Sequence, residues 1–420
     1  MLAKLEELAD QSQVDVTIVG AGMVGASAAI GLRQLGLQVI LIDAFGFTRA
    51  VPDYTPSYDA RSTALSWGTR DILTGLGVWS EVEKQACPIT DVHVSEKDRF
   101  GTTRIKAEDY SQPAVGHVVP NQWLGRCLLS RVDELDIPLY ASIHVEEIVQ
   151  GDTLNLVLAS SDKSKATNKR TIKPRLLIIA DGSDSNTAKK LGIESSIQQY
   201  AQHAIIANVT TELANEGIAF ERFTNKGPLA LLPLSDYQCA VVWTHDQSEV
   251  SRYLEMDDKA FCHAIDASFG ERLGKIEKCG ARLSYPLKLI QAKEQCRSGV
   301  LLLGNAAHSL HPVAGQGFNL AIRGVAACVE NVAECQDRQL PFESLENLAK
   351  LCATRIDDQM KTIALSDQLV KVFGSASKFL SVARELGLIG LDNAPIMKSL
   401  FASRAMGLAG RKSKLHSKAS

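Results

Sequence analysis

Apolar residues fall in short runs along the chain, separated by glycine-rich or polar stretches. Residues 14–19 (VDVTIV) are apolar and β-branched, the pattern of a parallel strand covered on both faces. Glycines follow, then small residues at helical spacing through Leu35, and Gly36 ends that helix. Residues 37–43 (LQVILID) repeat the strand pattern, so this stretch is predicted to form one βαβ unit. Beyond it, 46–60 reads as loop, 62–76 as helical, 91–105 as a hairpin and 122–135 as a helix. Residues 154–159 read as a strand, the basic, polar stretch 160–175 as an exposed turn, and 176–180 (LLIIA) as a second buried strand.

Residues 200–250 change character. AIIANV, GIAFERF, LALLPL and CAVVWT alternate with turn residues, which predicts an antiparallel sheet in a second unit. Residues 300–303 form one more buried strand, and the chain is mostly helical from Gln316 onward. The expected architecture is α/β, α+β overall. It has a Rossmann-like domain, an inserted antiparallel β-sheet domain for substrate and a helical C-terminal region. The first domain takes 1–85, 113–195 and 284–340, the second 86–112 and 196–283, and the helical region with its basic tail 341–420.

Composition narrows the function classes. The chain has 420 residues, 45% of them hydrophobic, enough apolar material for a large core in two or three domains. A net charge of −3 gives no electrostatic footprint for nucleic acid. Nine scattered cysteines, none in a CxxC pair, predict free thiols in a reducing compartment and no zinc site. The N-terminus lacks the apolar core of a signal peptide, and no run of 18 apolar residues occurs, so a cytoplasmic location is expected. Residues 411–420 (RKSKLHSKAS) carry four basic residues and no acid, the pattern of a solvated terminus or of weak attraction to an anionic membrane.

Three segments carry chemistry. Gly20-Ala21-Gly22-Met23-Val24-Gly25 lies between a predicted strand and helix. Gly20 suits a tight turn, Gly22 a close approach of pyrophosphate to backbone, and Gly25 close helix–strand packing. Asp43 closes the next strand, placed for an adenosine ribose. This pattern points to a dinucleotide and does not separate NAD from FAD. The second segment, Asp181-Gly182-Ser183-Asp184-Ser185, ends a strand, and Asp181 can accept from a sugar-like hydroxyl or cap a backbone N–H. The third runs from Gly304 and Asn305 through His308, His311 and Pro312 to Gly315, Gln316, Gly317 and Asn319. A strand there opens into a loop of small residues that starts a helix, whose N-terminus suits the negative charge of a reduced flavin ring. His308 and His311 lack further ligands at metal spacing, so no metal is expected.

Together these segments resemble the group A flavoprotein monooxygenases, the p-hydroxybenzoate-hydroxylase-like FAD enzymes. Residues 58–65 (YDARSTAL), 88–95 (PITDVHVS), 220–223 (FERF), 227–234 (GPLALLPL) and 404–407 (RAMG) are similar to the ubiquinone-biosynthesis hydroxylases within them. The resemblance implies FAD as cofactor, NAD(P)H or another reductant as electron donor, and molecular oxygen as co-substrate. It implies hydroxylation of a polyprenylated phenol, 2-polyprenyl-6-methoxyphenol, through a flavin C4a-hydroperoxide.

By family position, Gly20, Gly22, Gly25 and Asp43 hold the ADP half, while Arg61 and Arg126 lie near the flavin. Asp181, Gly182, Gly304 and Asn305 anchor ribityl and pyrophosphate groups. Pro312, Gly315, Gln316, Gly317 and Asn319 face the isoalloxazine. Phe220, Arg222 and Phe223 line the substrate side, and His308 and His311 relay the phenol proton. A lipid substrate implies a peripheral position at the inner face of the membrane, and residues 380–406 suit either that contacting surface or simple packing within the helical region. It also implies partners in a biosynthetic assembly with lipid-binding accessory proteins, and leaves oligomerisation open. Two other readings stay open: a hydroxylase of a different small aromatic, and a non-catalytic FAD scaffold of that assembly.

The chain departs from the family pattern at four places. Asn305 stands for a usual Asp, Ala188 and Asn121 for usual arginines, and Gly324 for an Asp that frequently follows Arg323.

Overall fold

The computed structural model describes residues 2–46, 61–99, 101–151, 153–161, 169–224, 226–310 and 315–373, with single positions 399, 402, 406 and 407. The strand Ser12–Val19, the helix Met23–Gln34 and the strand Val39–Asp43 form the βαβ unit that the sequence predicts. They sit in a parallel sheet ordered Leu139–Ala141, Val39–Asp43, Ser12–Val19, Lys169–Ile179, Val300–Leu302. Val16, Ile18, Leu176, Leu177, Ile178 and Leu301 are all fully buried, because helices cover one face and an antiparallel extension packs against the other. Small residues let the covering helices approach closely. A Cβ on Gly31 would lie 2.6 Å from Val329 of the helix Gln316–Asp337.

Two local expectations are corrected. Residues 62–66 are the strand Ser62–Ser66, paired antiparallel with Gly116–Pro120, and the helix Trp67–Gly75 starts only after it. Ser66 marks the change, since its hydroxyl accepts from the Thr69 N–H at 3.3 Å as the helix cap. The basic stretch is also more ordered than expected from residue 169 onward. Lys169–Ile179 is one strand of 11 residues, paired first with Leu154–Ser160 and then with Ser12–Val19. Ile172 and Pro174 point inward while Lys169 and Arg175 stay outside, a period-two pattern hidden by the charges. The loop expected over 46–60 lies outside the described residues after Gly46.

The second sheet is ordered His308–Ser309, Leu283–Ala292, Ser195–Thr211, Gln238–Asp246, Gly227–Ser235, Ile218–Thr224, Asp91–Glu96, Thr102–Lys106. Leu283–Ala292 pairs along Ser195–Thr211, so the domain boundary expected at 284 falls inside a strand of this sheet. One face packs Trp243, Phe220 and Ile205 against Phe261, Ile265 and Phe269 of the helix Asp258–Phe269. The other face turns toward the parallel sheet and leaves a gap. A three-stranded sheet (Ser62–Ser66, Gly116–Pro120, Cys87–Ile89) closes one side of that gap. Among the described residues no helix is long and apolar enough to cross a membrane.

Candidate active site

The gap is a cavity of about 1940 Å³ that runs from the glycine turn to the second sheet. A single small ligand occupies roughly 300–1,000 Å³, so this space suits a dinucleotide together with a second molecule.

The glycine turn is shaped by close approach. Gly20 has φ +102°, and a Cβ on it would press on Ala180 O and lie 2.8 Å from Asp181 Cα. A Cβ on Gly25 would overlap Gly20 O. The helix Met23–Gln34 opens at Gly22 with extended backbone and no side-chain cap. Its first N–H groups are therefore open to an anion. Asp43 is tied to this turn: its carboxylate accepts from Ala21 N–H at 2.7 Å and Phe45 N–H at 2.9 Å. Burial pushes its carboxyl up and the Asp181 charge adds to this, while the two backbone hydrogen bonds pull the other way.

Asp181 sits opposite. Its Oδ2 accepts from the Thr187 hydroxyl at 2.8 Å and the Thr187 N–H at 3.3 Å, while Oδ1 is buried with no hydrogen-bond partner among the described residues. Gly182 (φ +95°) and the exposed Asn305 continue the wall. Gly304 (φ +60°) keeps its loop on Val24, where a Cβ would meet that side chain at 3.0 Å. Gly315, also at φ +60°, opens the helix Gln316–Asp337, and Gln316 and Gly317 line the cavity at its N-terminus. An unsatisfied buried carboxylate oxygen, a turn that tolerates no Cβ and two uncapped helix starts fit the hydroxyls and pyrophosphate of FAD.

Several expected contacts lie elsewhere. Asn319 has both side-chain groups engaged within the protein: Nδ2 donates to Ala64 O and Gly315 O, each at 2.8 Å, and Oδ1 accepts from Ser66 N–H and the Thr69 hydroxyl. It therefore positions the wall rather than offering a free polar group to a ligand. Arg61 does line the cavity, its guanidinium 4.7 Å over the Tyr285 ring. Arg126 does not: it is exposed on the helix Asn121–Glu134, 5.8 Å over Trp123, because the helical turn aims it outward. Asn121 faces the cavity instead and accepts from the Thr63 hydroxyl at 2.6 Å.

His308 is buried off the cavity, and neither ring nitrogen has a hydrogen-bond partner among the described residues. Burial and the nearby Arg355 charge lower it to about 4, which leaves it neutral and out of reach of a substrate proton. His311 and Pro312 lie outside the described residues, as do the basic tail and most of 380–406. At Gly324, Arg355 takes the space, within 3.0 Å of where a Cβ would stand, and none of its guanidinium nitrogens has a hydrogen-bond partner among the described residues.

At the far end, Phe223 lines the cavity, and Phe220 meets its wall while packing edge-on against Phe269 at 5.3 Å. Arg222 points to the opposite side, donating to Ser268 O at 3.1 Å, since alternation along Ile218–Thr224 turns it away. The residue between Phe220 and Arg222 was missed by sequence reasoning. Glu221 lines the cavity, and burial raises its carboxyl to about 7. Its one sequence signal is an acid placed on an otherwise apolar strand face.

A family model described as an FAD binding domain matches residues 13–339. The chain belongs to this FAD-binding family. It is 30% identical to a ubiquinone hydroxylase, UbiL, of Rhodospirillum rubrum, over 94% of this chain and 89% of that one. It is 28% identical to the 3-demethoxyubiquinol 3-hydroxylase of Escherichia coli, over 94% and 98%. The fold is that of p-nitrophenol 4-monooxygenase PnpA from Pseudomonas putida, with a TM-score of 0.77 at 15% identity, covering 96% of this chain and all of that one. This chain is thus an FAD-dependent monooxygenase of the ubiquinone-hydroxylase kind, an oxidoreductase that uses molecular oxygen.

Proposed function

We propose that this monooxygenase hydroxylates a polyprenylated phenol of ubiquinone biosynthesis, with 2-polyprenyl-6-methoxyphenol as its substrate. The observation that carries this reading is the continuity of the cavity. It leaves the polar cofactor cradle at Asp181 and Asn305 and continues along Val92, Ile105, Ala219, Leu232 and Val242, a wall suited to an aromatic ring and an apolar tail.

FAD, reduced by NAD(P)H or another donor, supplies the activation of molecular oxygen. The chain supplies the rest. The turns at Gly20–Gly25 and Gly304–Asn305 hold the cofactor, and Asp43 and Asp181 accept its sugar hydroxyls. The start of the helix at Gln316 and Gly317 favours negative charge on the ring. The apolar sheet face excludes water from the reacting end. A lipid substrate also requires delivery, so we place the enzyme at the inner face of the membrane, among lipid-binding partners of the same assembly.

The test is a mass-spectrometric profile of quinone intermediates in cells lacking the protein. Accumulation of 2-polyprenyl-6-methoxyphenol with loss of ubiquinone is expected. Accumulation of a different polyprenylphenol moves the step, and a normal profile overturns the assignment.

A further inference from the structure

Six residues form one row across the second sheet, each paired with the next: Thr103, Val94, Glu221, Ala230, Val242 and Ile206. All six line the cavity. Glu221 is the one ionisable lining residue among those contributed by the strands Asp91–Glu96, Thr102–Lys106, Ile218–Thr224, Gly227–Ser235 and Gln238–Asp246. Among the described residues nothing donates to its carboxyl, and its paired neighbours Val94 and Ala230 are uncharged. A carboxyl in an apolar wall without a partner is costly, and a ligand hydroxyl removes much of that cost.

We propose that Glu221 accepts a hydrogen bond from the phenolic hydroxyl of the substrate and so sets which ring edge faces the flavin end of the cavity. This deepens the reading above and rests on it. The geometry is favourable because the carboxyl stands mid-row, flanked along its own strand by Ala219 and Phe223, which give the ring apolar contact on either side. A carboxylate acceptor also leaves more electron density on the phenol oxygen, which favours attack at the ring positions next to and opposite it. Methylating the hydroxyl removes the donor and leaves the acceptor unsatisfied, an asymmetry by which polar sites discriminate strongly.

The test uses the FAD-loaded enzyme and two probes, a geranylated 2-methoxyphenol and its O-methyl ether, with binding read from the flavin fluorescence. It is run at about pH 8, above the value of about 7 to which burial lifts the Glu221 carboxyl. The wild type is expected to favour the phenol by about tenfold or more, the worth of a hydrogen bond to a charged acceptor. Glu221→Ala is expected to bring the ratio close to one. Glu221→Gln, of the same shape, is expected to lower the preference without abolishing it, since its amide oxygen still accepts. An unchanged preference in Glu221→Gln, or in a Glu221→Ala protein that keeps its flavin and melting temperature, overturns the role of Glu221 alone. Equal binding of the two probes by the wild type does the same. If the wild type binds neither probe, the phenol reading falls and this proposal falls with it.

Discussion

The Asn319 side-chain oxygen accepts the Ser66 backbone N–H at 2.9 Å, and so joins the start of the helix Gln316–Asp337 to the end of the strand Ser62–Ser66. With the Thr69 hydroxyl at 2.7 Å and the two carbonyls taken by Nδ2, the amide meets four partners. Asn319→Ala leaves several of those groups buried and unpaired, at about 1–3 kcal/mol each before relaxation. A loss of about 2–4 kcal/mol is expected in thermal denaturation, with flavin released before the protein unfolds. A variant as stable as the wild type that holds full flavin would show that the join is dispensable.

Gly25→Ala places a methyl group against Gly20 O, a contact between two backbones that neither can yield. The expected result is a chain that carries little or no flavin and melts well below the wild type. Gly192→Ala, away from the cavity, is the control for backbone conformation alone, since no atom lies within 4 Å of a Cβ there while φ is +68°. It is expected to cost about 1–2 kcal/mol and keep its flavin. The flavin-to-protein ratio after gel filtration separates the two.

Asp181 offers Oδ1 to a ligand while Oδ2 holds Thr187. Asp181→Ala is expected to weaken FAD binding about 10–100-fold, in line with a charged hydrogen bond of about 1.5–3 kcal/mol. Asp181→Asn, which retains an acceptor, should lose less. Titration of the flavin-free protein with FAD, followed by fluorescence quenching, measures both. Equal affinities for the wild type and Asp181→Ala would remove this residue from the cofactor site.

Glu221 also makes stability depend on pH. Its folded value of about 7 lies above the ordinary 4.5, so between these the folded protein binds the extra proton. Stability is therefore lost as pH rises from about 4.5 to about 7 and is level above that. Glu221→Gln is expected to be more stable than the wild type by about 1–2 kcal/mol near pH 8, the carboxyl retaining some solvent contact through the cavity. The two proteins should converge below about pH 4.5. Urea denaturation across this range checks the sign, and a difference that grows toward acid contradicts it.

Gly324→Asp places a carboxylate beside the buried Arg355 guanidinium, which must shift by a few tenths of an ångström to admit the Cβ. Since an unpaired buried charge costs several kcal/mol, a gain of about 1–3 kcal/mol in stability is expected. A lower melting temperature for Gly324→Asp would mean that crowding against Arg355 outweighs the new ion pair, or that Arg355 already has its countercharge.

The cofactor half of the site was legible because its residues are close in sequence. Gly20, Gly22, Gly25 and Asp43 lie within one βαβ unit, and local spacing fixes their relation. The substrate half was not. Phe220, Glu221, Arg222 and Phe223 are neighbours in sequence, yet the side that each takes depends on strand pairing with Asp91–Glu96 and Gly227–Ser235. The sequence reading puts Arg222 on the substrate side and leaves Glu221 out, where alternation along the strand decides the outcome. Arg126 depends on the orientation of its helix, which aims it outward, and Asn319, which does line the cavity, takes part of its bonding from a strand more than 250 residues away that the sequence reads as helix.

The parallel pairing of Asp91–Glu96 with Ile218–Thr224 has a consequence for how the enzyme is made. Ser95 and Arg222 face each other across that pair although 127 positions separate them. During synthesis the hairpin Asp91–Lys106 emerges long before its neighbour exists, with one edge open and its apolar side chains uncovered. The substrate wall closes only when most of the chain has left the ribosome. Until then this hairpin carries an open edge beside uncovered apolar side chains, the combination that favours aggregation of a nascent chain.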